Sequence, residues 1–395
     1  MADLNPISPA RRAAFDILCR KGFASDELRG LGSTISTADA GLATELVMGC
    51  LRRQRQLDAW IAHASGRDPD TLDEPVRVAL RMGIYQIWKL DRVPGYAAVS
   101  ESVSLVRRAR IGSAAGFVNA VLRKVRRPEP SWGSAAVEWN LPDWLWAKWT
   151  SEMGWKRAQR VAAASLEPPQ TWIRVPAGRE EEAASLGATP TEVPGCWRAG
   201  QGTGGFRIQD IGSQSIVARH LDVRPGMKVL DIAAAPGNKT AQILEVPGVF
   251  ATACDASWQR LAEMGGIGCA RVRMNGRAPL PFAPVWDRVL LDAPCSGTGT
   301  IGRNPEIKWR VSEEDIRRHA ERQRQMLVCA LAVLAPGGKL VYSTCSLENE
   351  ENEMVVEAAL AETGNVYKVL EMRRRTPGED AGDGFFAAML ASRIR

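Results

Sequence analysis

The sequence predicts a multidomain protein in which an all-α bundle, a small α+β linker domain and a C-terminal α/β domain follow one another. Three observations support this prediction. Apolar residues recur at helical spacing in the first third, tryptophan is concentrated in the middle, and strand-like and helix-like segments alternate from residue 206 onward. A chain of 395 residues also exceeds one ordinary hydrophobic core. We therefore place the domains at residues 1–128, 129–205 and 206–395.

The first domain has the pattern of a helical bundle. Apolar residues follow three-to-four spacing in Leu42–Leu51 and in Val78–Ile87, and Thr37–Asp39 supplies a helix start before the first of these runs. Strand-like alternation is absent from this part of the sequence, and the connections are short. These features favour helices packed side by side.

The excess of positive over negative charge is confined to the same third of the chain. Residues 1–130 hold 20 Lys and Arg against 14 Asp and Glu, so they account for the whole net charge of +6. A basic cluster near the end of this domain is typical of a polyphosphate-binding surface, although a solvated helix face would have the same pattern. The cluster consists of Arg107, Arg108, Arg110, Arg123, Lys124, Arg126 and Arg127.

Tryptophan marks the linker domain. Eight of the 13 tryptophans lie between Trp132 and Trp197. Leu141–Trp149 has a helical pattern, and Thr171–Val175 has the pattern of a strand. The indole rings could stack on nucleobases, but packing in a core or between domains is their commoner role. We assign no chemistry to this segment.

The last domain is predicted to contain a parallel sheet with right-handed crossovers and helices on both faces. A long helix is expected over Glu313–Leu334 and is ended by Pro336-Gly337-Gly338. A final strand, parallel or antiparallel, is expected at Phe385–Leu390. The other predicted strands are Lys228–Ile232, Val249–Cys254, Arg271–Met274, Arg288–Leu291 and Lys339–Tyr342.

Several classes of protein are disfavoured by composition. The eight cysteines form no CxxC pairs and the three histidines fall in no motif, which argues against a disulfide framework, a structural zinc site and metal catalysis. No apolar run reaches about 18 residues, and the N-terminus lacks the apolar segment of a signal peptide. We expect a cytoplasmic protein that binds no metal and no membrane.

A nucleoside-binding loop is predicted where the first strand of this domain ends in Asp231. The chain continues through Ala233-Ala234-Ala235-Pro236-Gly237-Asn238-Lys239 into a helix, and small side chains there let a ligand approach the backbone amides of the helix N-terminus. Asp255 ends the next strand, where an acid commonly binds ribose hydroxyls. The glycine spacings that hold a pyrophosphate are absent. S-adenosyl-L-methionine is therefore the obvious candidate ligand.

Two cysteines follow predicted strands, Cys295 in Asp292-Ala293-Pro294-Cys295 and Cys345 in Ser343-Thr344-Cys345-Ser346. Residues just past the carboxyl ends of strands line the active crevice of an open α/β sheet. Methylation of a pyrimidine at carbon 5 needs a thiol, because addition of a thiolate to carbon 6 makes carbon 5 nucleophilic. An acid such as Asp292 would stabilise the charge that develops at N3. One cysteine suffices for attack and a second can assist release, but spacing alone leaves the two interchangeable.

At these residues the chain resembles the RNA cytosine-5 methyltransferases of the Sun/Fmu type. The cofactor loop of that family reads D-x-C-A-A-P-G-G-K-T. The matching motifs span about half of the chain and are Gln209-Asp210 with Ser213, Asp231–Thr240, Asp292–Gly299, Arg303–Trp309, Tyr342–Ser346 and Asp383–Phe386. The resemblance implies that the α/β domain is a Rossmann-like class I methyltransferase domain.

The first domain resembles the NusB-like RNA-binding domain of the bacterial 16S rRNA members of this family. The resemblance is carried by Glu45–Arg52 and Gly116–Arg123. It implies that the basic cluster contacts RNA. It also implies an enzyme that acts on 16S ribosomal RNA and not on DNA, at a cytosine of the type numbered 967 in conventional rRNA numbering. We expect the enzyme to be a monomer.

The resemblance also assigns roles to individual residues. Cys345 matches the nucleophile that forms a covalent adduct with carbon 6, and Cys295 matches the cysteine that assists product release. Asp292 lies where the family acid contacts both the base and the methionine end of the cofactor. Ala233–Lys239 match the cofactor loop, and Asp255 matches the acid that binds the ribose.

Three departures from the family pattern concern the cofactor. Ala233 replaces the usual cysteine, which is harmless if that residue only packs. Asn238 replaces the second glycine, and asparagine tolerates a positive φ better than other residues that carry side chains. Asn275 replaces an aspartate that faces the adenine, and its amide offers both an acceptor and a donor. We expect cofactor affinity to be altered more than the chemistry.

Two other functions stay open at this point. The departures at Asn238 and Asn275 would suit a non-catalytic RNA-binding factor with a decayed methyltransferase domain, but the intact cysteines argue against it. A DNA cytosine methyltransferase would use the Pro-Cys thiol as its nucleophile. The second thiol at Cys345 and the NusB-like domain argue against that alternative.

Overall fold

The structure is a computed structural model that describes residues 7–20, 22–126 and 128–392. It divides into two compact units, which are described separately. The first comprises the chain up to Glu167 together with Asn304–Trp309, and the second comprises Pro168–Arg303 and the chain from Arg310 onward. The division at Glu167 falls inside the predicted linker domain, so the three-domain boundaries stay a prediction. Arg127 of the basic cluster lies outside the described residues.

The regular elements among the described residues of the first unit are all helices, which confirms the predicted all-α class. Helix α3 begins at Thr37, within the predicted start Thr37–Asp39, and its cap is Ser36, whose side chain accepts a hydrogen bond from Asp39 N. Single-turn helices lie at Leu31–Ser33, Pro69–Thr71 and Gly112–Ala114. The helices are α1 (Pro9–Cys19), α2 (Ala24–Arg29), α3 (Thr37–Arg52), α4 (Gln54–Ser65), α5 (Glu74–Lys89), α6 (Gly95–Arg108), α7 (Ala115–Arg123), α8 (Ala135–Glu138), α9 (Asp143–Met153) and α10 (Trp155–Ser165).

One apolar core holds helices α1 to α7 together. Its members recur every three or four residues along each helix, so each helix buries one face. Complete burial of such side chains contributes roughly 1.5–3 kcal/mol each. The largest fully buried members are Leu46, Leu57, Trp60, Ile61, Leu80, Met82, Ile84 and Leu105.

The second unit contains a seven-stranded sheet in the order β10-β11-β9-β8-β5-β6-β7. Strands β5 to β9 are parallel, and β11 is antiparallel to both β9 and β10. The sheet is therefore mixed, and the final strand takes the antiparallel orientation. Its strands are β5 (Lys228–Ile232), β6 (Phe250–Asp255), β7 (Ala270–Arg273), β8 (Trp286–Asp292), β9 (Leu334–Thr344), β10 (Tyr367–Arg375) and β11 (Phe385–Ser392).

Both faces of this sheet are covered, as predicted for a parallel sheet. Alternate residues enter opposite layers: Leu230 packs into one apolar cluster with Leu327 of α16, whereas Val229 packs into another with Ile243 of α13. A π-helix at Ile216–Leu221 precedes β5. The helices are α11 (Glu180–Ser185), α12 (Ile211–Ser215), α13 (Asn238–Ile243), α14 (Trp258–Ala262), α15 (Ile307–Arg310, partly in the first unit), α16 (Glu313–Leu331) and α17 (Glu353–Glu362).

Two elements of this unit differ from what the sequence predicts, the end of helix α16 and the presence of strand β10. Helix α16 ends at Leu331, and Pro336-Gly337-Gly338 lies within the irregular start of β9, where the register to β8 shifts between Trp286 and Arg288. A bulge accommodates residues that would end a helix. Strand β10 was missed, because charged residues dominate this edge strand and hide its alternation.

A second, four-stranded antiparallel sheet precedes the large one in the order β2-β3-β1-β4. The eight tryptophans of the middle segment mostly pack: three are buried, four are half-buried, and only Trp155 is exposed. Most of these tryptophans therefore pack within the protein and do not form a surface on which nucleobases could stack. The strands are β1 (Trp172–Arg174), β2 (Thr189–Pro190), β3 (Cys196–Arg198) and β4 (Arg207–Ile208).

Candidate active site

The predicted site residues follow neighbouring parallel strands. Asp231 lies near the carboxyl end of β5, Asp255 ends β6, Asp292 ends β8 and Cys345 follows β9. Because these strands are adjacent in the sheet, their ends form one continuous edge. This edge is the usual place for a ligand in an open α/β sheet.

The two thiols meet at this edge. The Sγ atoms of Cys295 and Cys345 lie 3.4 Å apart and share a hydrogen bond. The hydrogen bond with Cys345, burial and the charges of Cys345 and Glu351 raise the pKa of the Cys295 thiol well above its usual range. Cys295 therefore retains its proton and can be the donor in the hydrogen bond that the two sulfur atoms share.

Asp292 is held by two side chains next to the thiols. Its Oδ2 oxygen lies 2.6 Å from Lys239 Nζ, and its Oδ1 oxygen accepts a hydrogen bond of 2.7 Å from Ser343 Oγ. Burial disfavours the charge of the Lys239 ammonium, but Asp292, Asp231 and Cys345 outweigh burial and raise the pKa of this group. A fixed positive charge therefore lies beside the acid and the thiols.

A cavity of about 310 Å³ opens at the ends of β5 and β6. Three of the predicted cofactor residues line it: Ala233, Asp255 and Asn275. Its volume is in the range of small-molecule sites. The other ten lining residues were not predicted to bind the cofactor, and they are Ile232, Cys254, Ala256, Arg260, Met274, Gly276, Arg277, Pro294, Arg322 and Met326.

The polar atoms of this cavity fit a nucleoside. Ser257 N donates to Asp255 Oδ1 at 2.9 Å, and Arg260 Nη1 lies 3.4 Å from Asp255 Oδ2. Within the described part of the chain, that buried Oδ2 atom accepts no hydrogen bond, so it can accept one from a ribose hydroxyl. Asn275 Oδ1 accepts a hydrogen bond of 3.1 Å from Arg277 N, which leaves the amide nitrogen as the donor toward a ligand.

The backbone of the cofactor loop corrects the expectation that Asn238 occupies a position with a positive φ. Asn238 begins helix α13 and has no positive φ, so its tolerance of that conformation is not used. Ala233 is the residue with a side chain in the left-handed region, at φ 63°. Gly237 has φ 98°, and a Cβ atom there would lie 2.5 Å from Ile267 Cδ1. The loop therefore requires glycine at 237 and not at 238.

Most of the loop does not line the cavity. Ala234 and Ala235 are buried in a small apolar cluster with Ala253 and Leu261. Lys239 is directed to Asp292, as described above. The structure thus separates the predicted cofactor loop into residues that pack, a residue that lines the cavity and a residue that faces the thiols.

Asp231 is a buried support of the loop. Thr240 Oγ1 donates to its Oδ2 oxygen at 2.6 Å, which connects β5 to α13. Burial raises the pKa of Asp231 to about 7, and the Asp292 carboxylate acts in the same direction. The carboxyl group of Asp231 thus titrates near neutral pH in the folded protein.

The remaining family-like motifs of the second unit come together behind the Cys345 loop. Arg303 Nε donates to Asp383 Oδ2 at 2.9 Å, and Arg303 Nη2 donates to Asp210 Oδ2 at 3.2 Å. Burial and Asp210 raise the pKa of Asp383 to about 6. A Cβ atom on Gly299 would lie 2.8 Å from the carbonyl oxygen of Cys345, so only glycine fits there. These contacts brace the site.

In the first unit the predicted basic cluster divides into two groups. Arg108 is paired with Asp16 at 2.7 Å, and Lys124 Nζ donates to Ala64 O at 3.0 Å. A groove of about 760 Å³ between α6 and α7 instead collects three exposed arginines of the cluster together with Tyr96, which is 80% exposed, whereas Arg110 is exposed outside this groove. No acid of the described ranges pairs with these arginines, which are Arg107, Arg123 and Arg126.

A helix that spans a membrane must be long and apolar enough to cross the hydrocarbon core of the bilayer. Among residues 7–20, 22–126 and 128–392, none of the helices is both long and apolar enough to cross a bilayer.

The fold and the site together define the class of protein. A mixed seven-stranded sheet with helices on both faces and a cavity that fits a nucleoside at the ends of β5 and β6 are features of a class I methyltransferase, and the paired thiols at the ends of β8 and β9 add a nucleophile to them. Family models agree: one described as 16S rRNA methyltransferase RsmB/F matches residues 218–391, and the NusB family matches residues 8–127.

Curated relatives extend this similarity over the whole chain. Ribosomal RNA small subunit methyltransferase B of Klebsiella pneumoniae subsp. pneumoniae is 31% identical over 430 residues, covering 99% of this chain and 99% of the relative. The protein of the same name in Xylella fastidiosa is 33% identical over 399 residues, covering 90% and 92%. The chain therefore belongs to the RsmB/F family of 16S rRNA methyltransferases.

Solved structures show the same fold. The crystal structure of PH0851 aligns with a TM-score of 0.79 at 24% identity and covers 99% of this chain and 100% of that chain. A methyltransferase homologue from Pyrococcus horikoshii is 27% identical, with a TM-score of 0.55, and covers 67% of this chain and 100% of its own. The predicted family, fold class, enzyme class and S-adenosyl-L-methionine cofactor are confirmed; the roles of individual site residues stay predictions.

Proposed function

We propose that this protein methylates carbon 5 of a cytosine in 16S rRNA through a covalent adduct between Cys345 and carbon 6 of the base. The observation that carries the proposal is the contact of two thiols, 3.4 Å apart, at the end of the sheet that also holds Asp292. The cytosine of the type numbered 967 is the proposed target. We further propose that the enzyme works as a cytoplasmic monomer and does not act on DNA.

The cofactor would be held by residues around the cavity. Asp255 offers an acceptor to the ribose, Asn275 offers a donor to the base, and Ile232, Met274 and Met326 supply apolar contacts. When bound, S-adenosyl-L-methionine supplies the methyl group. Lys239 keeps Asp292 in place at the adjoining edge through their 2.6 Å contact.

Cys345 opens the reaction as a thiolate. Its sulfur forms a bond to carbon 6, and the electron pair of the C5–C6 double bond becomes available at carbon 5 and toward N3. Asp292 is the acid that we expect to face N3, where a proton held between the two groups would neutralise the developing charge, and Ser343 and Lys239 orient its two oxygens. The Cys295 thiol stabilises the attacking thiolate by donating a hydrogen bond to it.

Cys295 acts in the second half of the reaction. Once the Cys345 sulfur is bonded to carbon, its hydrogen bond and its charge no longer raise the pKa of Cys295, and only burial and Glu351 continue to do so. Cys295 can then release its own proton to solvent and take the proton from carbon 5. The electrons of that C–H bond re-form the C5–C6 double bond, and the bond from carbon 6 to sulfur breaks. Free Cys345 thiolate and methylated cytosine result.

We propose that RNA contacts the groove between α6 and α7. Arg107, Arg123 and Arg126 are exposed cations for phosphates, and Tyr96 is an exposed ring on which an unpaired base can stack. Arg108 and Lys124 have partners of their own within the protein. The proposed contact therefore involves a part of the predicted basic cluster.

Transfer of a labelled methyl group tests the function directly. The protein would be incubated with methyl-labelled S-adenosyl-L-methionine and small-subunit rRNA that lacks 5-methylcytosine. Bisulfite sequencing should then locate the product at the proposed cytosine. A protein that binds the cofactor in calorimetry but labels no RNA would contradict the proposal. A protein that binds RNA but does not bind the cofactor would support the decayed-enzyme alternative.

A further inference from the structure

A buried carboxyl group that has no part in the proposed chemistry lies between the two cysteine loops. Glu351, in the single-turn helix Asn349–Glu351, is fully buried. Its Oε1 oxygen accepts hydrogen bonds from Ser296 N at 2.8 Å and from Gln323 Nε2 at 3.0 Å. Its Oε2 oxygen accepts from Ser346 Oγ at 2.5 Å and from Ser296 Oγ. One side chain thus bonds both loops.

The serine partners of this carboxyl group are the residues that follow the thiols. Ser296 comes directly after Cys295, and Ser346 comes directly after Cys345. Displacement of either loop relative to the other would break hydrogen bonds to Glu351. The distance between the two thiols therefore depends on a group that touches neither of them.

Other contacts hold Glu351 itself in place. Tyr342 Oη, near the end of β9, donates to Glu351 O at 2.5 Å. The Nε2 group of Gln323 on α16 also donates to Pro294 O at 2.9 Å, so the same amide binds the Cys295 loop and the carboxyl group. Strand, helix and both loops are joined through this one residue.

Packing alone does not explain a carboxyl group at this position. Burial removes its hydration, which is unfavourable for an acid, and the four hydrogen bonds named above come from neutral donors. An apolar side chain could accept none of these bonds, and an amide has a single acceptor oxygen. A carboxylate is the side chain that can accept from all four donors at once.

We propose that Glu351 is a positioning residue that holds the Cys295 and Cys345 loops so that their thiols stay in contact. The proposal rests on the proposed function for the roles of the two thiols. The geometric part, however, is independent of RNA and cofactor. It can therefore be tested even if the methylation assay fails.

Oxidation by diamide measures the contact of the thiols directly. Each thiol gives up one proton and one electron, an S–S bond forms, and the azo group of diamide takes up both protons and both electrons to become a hydrazine. Peptide mapping by mass spectrometry follows the Cys295–Cys345 disulfide over time. We compare the wild type with Glu351→Gln, and with Glu357→Gln as a matched control, because Glu357 is exposed on helix α17.

The wild type and Glu357→Gln should form the disulfide at rates within twofold of each other, and Glu351→Gln should form it at least fivefold more slowly. In the methylation assay, Glu351→Gln should lower kcat at least tenfold and change KM for RNA less than twofold. An unchanged rate of disulfide formation in Glu351→Gln, or an unchanged kcat, would overturn the proposal. Absence of the disulfide in the wild type would overturn it as well.

Loss of folding in Glu351→Gln would be recognised by the loss of its cooperative thermal transition. Ser296→Ala and Ser346→Ala then take its place, since each removes one hydroxyl donor to Glu351 and leaves the carboxyl group present. Each should slow disulfide formation at least twofold. Wild-type rates in both variants would refute the positioning role.

Discussion

The Sγ atoms of Cys295 and Cys345 lie 3.4 Å apart although 50 positions separate the two residues in the sequence. Adjacent parallel strands, β8 and β9, bring them together. The pKa of Cys295 is raised chiefly by its hydrogen bond with Cys345, so the state of one thiol governs the other. This coupling is the physical basis for a division of labour between two otherwise similar side chains.

The roles of the thiols can be separated by substitution. We expect Cys345→Ala to abolish methyl transfer and to form no protein–RNA adduct, because no sulfur is left to attack carbon 6. Cys295→Ala should accumulate the adduct, because release is impaired. Denaturing gel electrophoresis of reactions with labelled rRNA measures both effects. Cys329→Ala, on helix α16, is the control and should behave as wild type; the reverse pattern for the two active-site cysteines would exchange their roles.

Loss of the ammonium beside Asp292 should destabilise the fold. Lys239→Met leaves that carboxylate with one partner fewer in a largely buried place, so we expect the free energy of unfolding to fall by about 1–3 kcal/mol. Urea denaturation measures the change. Lys228→Met, at an exposed position, should stay within about 0.5 kcal/mol of wild type.

A double-mutant cycle tests whether the two residues interact. Lys239→Met combined with Asp292→Asn should cost less than the sum of the single substitutions, because no charge is then left without its partner. Additive losses would show that the 2.6 Å contact contributes no coupling energy.

The buried Asp231 should make stability depend on pH. Its pKa rises from 3.8 to about 7 on folding because of burial, so between these values the folded state holds a proton that the unfolded state has lost. The contribution of Asp231 to the free energy of unfolding is therefore fully present below about pH 4 and is lost as pH rises toward 7. Relative to wild type, Asp231→Asn should gain up to roughly 1.4 kcal/mol per pH unit in this window.

Urea denaturation at pH 4.5, 5.5, 6.5 and 7.5 measures that difference. Glu263→Gln removes an exposed carboxyl group of the same unit and serves as the control. The prediction for Asp231 fails if the difference between Asp231→Asn and wild type is constant with pH.

The groove between α6 and α7 should determine RNA affinity. Arg107→Gln and Arg123→Gln should each weaken RNA binding and reduce the slope of log affinity against log salt by about 0.7 for each phosphate that is no longer neutralised. Tyr96→Ala should cost about 1–3 kcal/mol of binding free energy, because the ring on which a base can stack is removed. Filter binding at several salt concentrations measures these effects, and calorimetry should show unchanged cofactor affinity.

Arg108→Gln is the matched control for this surface. Arg108 belongs to the same sequence cluster, but both ends of its guanidinium group bind Asp16, at 2.7 and 3.1 Å. Its replacement should leave the salt slope as it is in the wild type. A larger effect of Arg108→Gln than of Arg107→Gln would move the RNA contact to a different face of the first unit.

Much of the second unit was predictable because its signals are local. Strand β5 was predicted with its observed bounds, because a glycine lies near each end of this five-residue run, Gly226 before it and Gly237 after it. The end of α16 was not predicted correctly, because Pro336-Gly337-Gly338 can either end a helix or form a bulge in a strand. Strand β10 was missed because its arginines and glutamate give an edge strand little apolar alternation.

By itself, the sequence determined the two classes of domain, the family, the cofactor and the identity of the chemical groups: two thiols, Asp292 and a nucleoside loop. These depend on residue type and spacing along the chain. Only the tertiary structure decided that Lys239 binds Asp292, that Ala233 and not Asn238 has the left-handed backbone, and that Glu351 joins both cysteine loops. The contact of Lys239 with Asp292 and that of Ser296 with Glu351 each join residues more than 50 positions apart. The sheet brings their strands together and so determines which of these residues meet.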